Sequence, residues 1–534
     1  MRAAGERDVE RATVRQGLHP LFACRAPPRA CGPQQERTAL FARLERMNAL
    51  KLCLVSAEIM PFAKTGGLAD VVGALLSELT ERGHEVRAFM PLYRQVMRGR
   101  PALTAVAGLQ NVGILLGTRA YRFSVHKAPM PGAPGWVHFI DCPKLFDRPA
   151  IYTDDPDEHR RFLLLTRAVL ESCRRMEFTP DIFHCHDWHA GFLPLYLQSS
   201  SAAVPAFAGA RSVLTIHNIG YQGILARDFG GDLTLPDWQR AVDAEDLGHG
   251  LINALRTGVR YADTVTTVSP TYAREIASAP LGMGLERTLH ERTRPVIGIL
   301  NGVDYREWDP RHDPYLEVHY SAQALDGKRL NRERLIESLG LSLPAATPLA
   351  GIVSRFASQK GFDLLVEALP PLLAAQRLGL VVLGSGEERY VSFFGSLAQR
   401  FSGQVALRGG YDETLAHRIE AASDLFLMPS RYEPCGLNQM YSLRYGTVPI
   451  VRRTGGLADS VQHFDPASGA GTGCVFNDYD VPAVRWALDT ALGWYAVPTL
   501  WSRLMQNGMQ QDFSWAKQIG EYERVFAETL ALPR

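Results

Sequence analysis

The 534-residue chain has few cysteines, no surplus of either charge and no long apolar run. Its 8 cysteines (24, 31, 53, 142, 173, 185, 435 and 474) form no CxxC pair. This excludes a disulfide-stapled scaffold and fits free thiols in a reducing compartment. Lys and Arg number 57 against 56 Asp and Glu, a net charge of +1, which excludes a general nucleic-acid or anionic-membrane binder, because such binding needs a basic surplus. No apolar run approaches the ~18 residues of a spanning helix. The N-terminus also lacks the contiguous apolar stretch of a secretory signal. What remains is a cytoplasmic protein, 46% apolar and 9% aromatic, able to bury a sizeable core and long enough for two large α/β domains. An enzyme is the class these absences leave.

Residues 1–46 differ from the rest. They carry nine Arg, no Lys, and Pro20, Pro27, Pro28 and Pro33, without a sustained period, and read as a disordered extension. An Arg-rich targeting segment is the alternative, weakened by five acidic residues. Another is a translation start at Met47. From Leu52 the pattern turns to strand, loop, helix, strand. Leu52–Val55 is a short apolar run, Leu68, Val71, Val72, Leu75, Leu76 and Leu79 fall at helical spacing, Gly83 stands at the C-terminal cap, and Val86 opens the next strand. This is a βαβ unit of a doubly wound sheet. Similar runs recur at 182–185, 213–216 and 264–268, and a second series at 349–353, 380–383, 425–428 and 448–451. The division predicted is a Rossmann-like domain over 47–300, a second over 301–510, and a C-terminal helix within 511–534 returning to the first.

One repeat sets the architecture. Lys64-Thr65-Gly66-Gly67-Leu68-Ala69-Asp70 returns as Arg453-Thr454-Gly455-Gly456-Leu457-Ala458-Asp459. Two sheets each presenting a glycine loop and a helix start to a shared cleft would explain it, and ligands of such sheets bind outside the carboxyl ends of the strands. Local convergence on a good helix start is the competing explanation. Paired glycines let backbone N–H groups approach an anion, with Lys64 and Arg453 beside them. The loop is neither GxGxxG nor a P-loop, which disfavours hydride transfer and P-loop phosphoryl transfer.

Arg355 and Lys360, in Ser354–Gly361 after a buried strand, could clamp a diphosphate or be solvated surface cations. His184, His186 and His189 crowd six residues, but no HExxH or clustered Cys accompanies them, so a cleft or hydrogen-bonded role is preferred to zinc. Glu433, just before Pro434-Cys435-Gly436, could bind sugar hydroxyls or cap a helix.

Taken in order, Lys64–Asp70, His186-Asp187-Trp188-His189-Ala190-Gly191, Leu300-Asn301-Gly302-Val303-Asp304, Ser354–Gly361 and Glu433-Pro434-Cys435-Gly436-Leu437 resemble bacterial glycogen synthases and plant starch synthases, retaining glucosyltransferases of the GT-B fold. The resemblance runs from about Leu50 to the C-terminus. It implies two Rossmann-like doubly wound domains facing a cleft, and transfer of glucose from ADP-glucose to the non-reducing end of an α-1,4-glucan with retention. No cofactor or metal is implied, nor a nucleic-acid or membrane partner. Residue by residue, it implies that Lys64 lies at the donor phosphates or the reacting centre, with Gly66 and Gly67 supplying backbone and Asp70 ordering the loop. His189 would face the donor glucose, Asn301 the cleft, and Arg355 and Lys360 the diphosphate. Glu433 would bind glucose hydroxyls beside Cys435, Gly436 and Leu437, Tyr411 would stack on the base, and Thr454, Gly455 and Gly456 would add N–H donors. Many retaining members carry a second acid eight positions after the first; here Tyr441 stands there, as glycogen and starch synthases allow. The alternatives are a related transferase with another sugar nucleotide or acceptor, a glucan phosphorylase, whose cofactor-lysine motif is not evident, and a catalytically silent glucan-binding scaffold.

Overall fold

A computed structural model describes residues 49–200 and 207–533; the readings on residues 1–46 lie outside them. The first sheet is built from β1 (Lys51–Val55), β2 (Glu85–Pro91), β3 (Thr104–Ala105), β4 (Val112–Leu116), β5 (Arg119–Pro129), β6 (Trp136–Asp141), β7 (Ile182–His186), β8 (Arg211–Ile216), β11 (Thr264–Thr267) and β12 (Ile297–Gly298), in the order β12-β11-β8-β7-β1-β2-β6-β5-β3, with β4 also on β5. The strands from β12 to β6 run parallel, and β3, β4 and β6 pair antiparallel with β5. A separate hairpin pairs β9 (Ile224–Ala226) with β10 (Leu251–Asn253). The second sheet, β15-β14-β13-β16-β17-β18, is wholly parallel: β13 (Leu349–Val353), β14 (Gly379–Gly384), β15 (Val405–Gly409), β16 (Leu425–Met428), β17 (Val448–Arg452) and β18 (Cys474–Phe476).

The helices that bear on the site are α1 (Gly67–Glu81), α2 (Glu158–Arg175), α3 (Pro270–Glu275), α4 (Asp326–Ser338), α5 (Phe362–Ala374), α6 (Glu413–Ala422), α7 (Asn438–Arg444), α8 (Gly455–Ser460), α9 (Val481–Tyr495) and α10 (Trp515–Leu530). α1 forms because its apolar residues share one face, and Leu68, Val71, Val72, Leu75, Leu76 and Leu79 are all buried. It stops where Gly83 adopts φ +90, a left-handed turn that glycine enters without cost. α5 and α9 pack on the second sheet and close a core running from Ile352 through Phe394 and Leu488 to Trp501.

Each sheet reverses its winding at one point. In the first, β1, β2 and β6 step one way while β7 flanks β1 on the other side. In the second, β13, β14 and β15 step one way and β16 flanks β13. The crevice outside the carboxyl ends at such a point is where open α/β sheets bind ligands. Here those ends release the loops beginning at Ser56, Asp187, Ser354 and Pro429. The predicted apolar runs all lie in these parallel strands. The antiparallel β3–β5 extension and the β9–β10 hairpin did not stand out, because half-exposed strands alternate and carry no continuous apolar run.

Among the described residues no helix is long and apolar enough to cross a membrane, and the six cysteines described are free and buried.

Candidate active site

The first wall begins with the loop after β1. Glu58 is buried, and its carboxylate accepts from the Thr65 backbone N–H, from Thr65 Oγ1 at 2.7 Å and from the Tyr152 hydroxyl. Three donors on one buried acid fix the Lys64–Gly67 segment as α1 begins. A Cβ built on Gly66 would meet nothing within 4 Å, and one on Gly67 only Leu437 Cδ1 at 3.7 Å. Their backbone therefore borders open space. Lys64 Nζ pairs with Asp70 Oδ1 at 2.8 Å. Burial opposes the ammonium charge, but Asp70 outweighs it and leaves the Lys64 pKa above its ordinary value.

β7 ends in a strained turn. Asp187 takes φ 55, ψ −171, a conformation costly for a residue with a side chain and held only where its surroundings over-determine it. They do so here: its carboxylate accepts from the backbone N–H of His217 at 2.7 Å, and burial raises its pKa to about 7. The turn carries Trp188 and His189 over the strand end. The His189 ring stacks on Tyr152 (5.1 Å between centroids) and meets the edge of Phe162 (4.5 Å), and its Nδ1 is buried without a hydrogen-bond partner. Burial, then the Arg161 charge, lowers its pKa to about 3, so the imidazole is neutral at physiological pH. His184 and His186 lie in β7; His184 Nε2 meets Thr215 Oγ1 at 2.7 Å and His186 Nδ1 meets His217 Nε2 at 3.0 Å. Among the described residues no group of three or more His, Cys, Asp or Glu is arranged to hold a metal ion.

The second wall follows β13 and β16. Gly361 has φ +72, and a Cβ there would lie 1.9 Å from the Pro429 carbonyl. Only glycine lets the turn after β13 press against the loop after β16 this closely. The contact brings Lys360 Nζ to Glu433 Oε2 at 2.7 Å, where Ser430 Oγ also donates at 3.0 Å. Arg355 is exposed and makes no ion pair among the described residues. Asn301 Oδ1 is buried without a hydrogen-bond partner. Burial pushes the Cys435 thiol up to about 12, which leaves it protonated and unreactive. Trp308, from the segment joining the sheets, is sandwiched between Tyr441 (3.8 Å, rings 2° apart) and His417 (3.6 Å).

A cavity of about 1080 Å³ lies between these walls and is lined by Lys64, Gly66, Gly67, Asp70, His189, Asn301, Arg355, Lys360, Tyr411, Glu433, Cys435, Gly436 and Leu437. Thr454, Gly455 and Gly456 are not on its wall. Their donors are already engaged: Gly455 N–H and Thr454 Oγ1 give to Glu275, and Gly456 N–H gives to the Glu433 carbonyl at 3.1 Å. A Cβ on Gly455 would lie 1.8 Å from the Glu433 carbonyl oxygen, and one on Gly456 2.2 Å from that of Cys435. The second glycine pair is thus a seat for the Glu433 loop, a different use of the same freedom. Sequence reasoning passed over Glu58, Tyr152, His217 and Trp308, which also line the cavity. Glu58 had a readable signal, an acid three residues beyond a strand end in the same loop as Lys64. Tyr152 and Trp308 belong to no motif.

Residues 51–291 match the family model described as the starch synthase catalytic domain, and residues 340–493 that of glycosyl transferases group 1. Curated relatives include the glycogen synthase of Koribacter versatilis, 44% identical over 483 residues that cover 89% of this chain and 98% of that one. The glycogen synthase of Anaeromyxobacter dehalogenans is 42% identical over 493 residues, covering 90% and 100%. Among solved structures, the catalytic domain of starch synthase IV from Arabidopsis thaliana, bound to ADP and acarbose, superposes with a TM-score of 0.84 at 35% identity, covering 91% of this chain and 100% of that one. A sucrose-phosphate synthase from Thermosynechococcus elongatus, 18% identical with a TM-score of 0.56 and covering 89% and 99%, shares the fold.

Proposed function

Starting from a chain that belongs to the glycogen and starch synthase family, we propose that it moves glucose from ADP-glucose to the 4-hydroxyl at the non-reducing end of an α-1,4-glucan, keeping the anomeric configuration. The reading rests on one observation: a single cavity gathers Lys64, His189, Arg355, Lys360 and Glu433 from the switch points of both sheets.

The chemical task is to stabilise charge growing on the leaving diphosphate while the sugar becomes oxocarbenium-like. Fixed cations and backbone donors in a site shielded from water do this most directly. In our reading Lys64 and the Gly66–Gly67 backbone serve one side of the diphosphate, and Arg355 and Lys360 the other. Glu433, fixed by Lys360 and Ser430, holds glucose hydroxyls. Neutral His189, which lines the same cavity, faces another, and Tyr411 stacks on the base. The bond from C1 to the phosphate oxygen breaks, the bond from C1 to the acceptor oxygen forms on the same face, and the acceptor proton passes to the departing phosphate. Side chains supply the countercharge, so the reaction needs no metal or other cofactor. The protein works in the cytoplasm.

Incubation with ADP-glucose, UDP-glucose and glycogen in parallel, following nucleotide release and the configuration of the new linkage by NMR, tests this. Faster transfer from UDP-glucose would correct the donor. No transfer from either would overturn the proposal.

A further inference from the structure

The hairpin β9–β10 carries two large apolar side chains, Ile224 and Leu251, that no described residue buries. In its register Ile224 faces Asn253, Leu225 faces Ile252 and Ala226 faces Leu251. Alternation sends Leu225 and Ile252 inward, where both are buried, and leaves Ile224, Ala226, Leu251 and Asn253 on the other side, where Asn253 alone is buried and donates to the Gln222 side chain at 2.6 Å. Ile224 is 59% exposed and Leu251 37%, diagonal neighbours close enough to form one surface. Met283 joins them: the Gln222 side-chain amide donates to its carbonyl at 3.0 Å, and its sulfur lies 3.6 Å from a Cβ built on Gly220.

This surface is continuous with the cavity. Tyr221, 55% exposed, lines the cavity immediately before the hairpin. Gly223 lies so close to Trp188, another wall residue, that a Cβ would come within 2.2 Å of its ring. Tyr221 and Trp188 share their wall with His189 and His217, while Tyr411 and Glu413 come from the second sheet. The apolar face therefore opens from the His189 side.

We infer that Tyr221, Ile224, Leu251 and Met283 form a ledge on which the acceptor glucan lies as it leaves the cavity, an inference that rests on the proposed transfer reaction. A volume of about 1080 Å³ is slightly above the roughly 300–1,000 Å³ that hold a drug-sized ligand. A polymer is far longer than such a volume can hold, so most of it has to lie on the adjoining surface. Pyranose rings are uncharged and apolar on their faces, and an aromatic ring followed by aliphatic side chains matches them.

The test is Ile224→Ser combined with Leu251→Ser, two positions outside the cavity wall. The KM for glycogen is expected to rise about tenfold, because contact area leaves the polymer complex. Turnover at saturating glycogen, the KM for ADP-glucose and the rate on maltotriose should stay at wild-type values. An unchanged KM for glycogen overturns the ledge, as does a change in oligomeric state without one, which would mark a contact between copies. Should the double variant melt early, Ile224→Tyr keeps the strand and enlarges the platform. It should lower the glycogen KM about threefold, and no decrease counts against the proposal. Electrophoresis through a glycogen-containing gel reads the ledge without turnover. A wild-type protein retarded by glycogen, with mobility restored in the double variant, but inactive with ADP-glucose would sink the transfer reading and leave the ledge standing.

Discussion

Glu275 Oε1 accepts the Gly455 N–H at 3.1 Å and the Thr454 hydroxyl at 3.0 Å. A carboxylate at the end of α3, in the first sheet's half of the chain, thus occupies the start of α8 in the second. The link is reciprocal, for Asp459 of α8 accepts the Thr271 N–H of α3 at 2.7 Å and the Thr271 hydroxyl at 2.6 Å. Glu275→Ala leaves a part-buried N–H and hydroxyl unsatisfied and should cost about 1–3 kcal/mol, measured by urea unfolding. An unchanged midpoint would mean the clasp adds nothing.

The two glycine pairs should respond oppositely to alanine. Gly66→Ala adds a methyl to empty space at φ −163, an extended angle any residue adopts. The melting temperature should hold while the donor KM rises. Gly456→Ala drives a methyl against the Cys435 carbonyl and should lower stability by roughly 1–3 kcal/mol. Equal loss of stability in both would contradict the distinction.

Glu433→Ala and His189→Ala should each lower turnover by about 100-fold or more, the scale of losing one group that contacts the reacting sugar. Circular dichroism should stay unchanged. Near-normal turnover in either removes that residue from the proposed chemistry.

Acid should unfold the protein early. Burial lowers the pKa of His184, His189 and His217 to about 3 and holds that of His186 well below its ordinary value. These groups stay neutral when folded but take up protons when unfolded below about 6.5. The stability they contribute is complete above that pH and falls as pH drops toward 3, by up to about 1.4 kcal/mol per pH unit for each. Asp187 and Glu420, raised to about 7 and about 8, oppose this. Their folded forms keep the proton, so they add stability as pH falls toward their unfolded values. Buried His138, lowered to about 4, adds to the loss, and part-buried Asp70 and buried Asp424, both raised, oppose it; five histidines against four acids leave a net loss below about 6.5. The urea midpoint at about pH 5 should therefore lie below that at about pH 7.5, and His184→Gln should shrink the difference. Equal midpoints would refute it.

A strong chelator should leave transfer from ADP-glucose intact, because the proposed countercharges are Lys64, Arg355 and Lys360. Complete loss reversed by added divalent metal would overturn that assignment and return attention to His186 and His217.

The parallel strands and the loops at their carboxyl ends were legible because buried strands read as unbroken apolar runs and glycine pairs punctuate their ends. Lys64, Lys360 and Glu433 stood out through local sequence and His189, one of three clustered histidines, through the family resemblance, and the structure sets all four around one cavity. Other features depend on separations that spacing does not encode. Glu58 meets Tyr152 across 94 positions and Glu275 meets Gly455 across 180. The repeated TGGLAD was legible as two helix starts. What each start faces, open space at Gly66 or the Glu433 carbonyl at Gly455, is decided by packing alone.

The last helix has a consequence for how the protein is made. α10 lies against α1 and β8; its Tyr522 and Phe526 meet the ring of His184, and Thr529 Oγ1 meets Thr264 Oγ1 at 2.8 Å. On the ribosome every strand of the first sheet emerges before this cover exists. At roughly 5–20 residues per second, the stretch from Gly298 to Trp515 keeps β7 and β8 waiting on the order of ten seconds or more. Through that interval the nascent chain displays an apolar face that its own closing segment will later shield. Newly made protein, more than the finished molecule, is where chaperones should be needed.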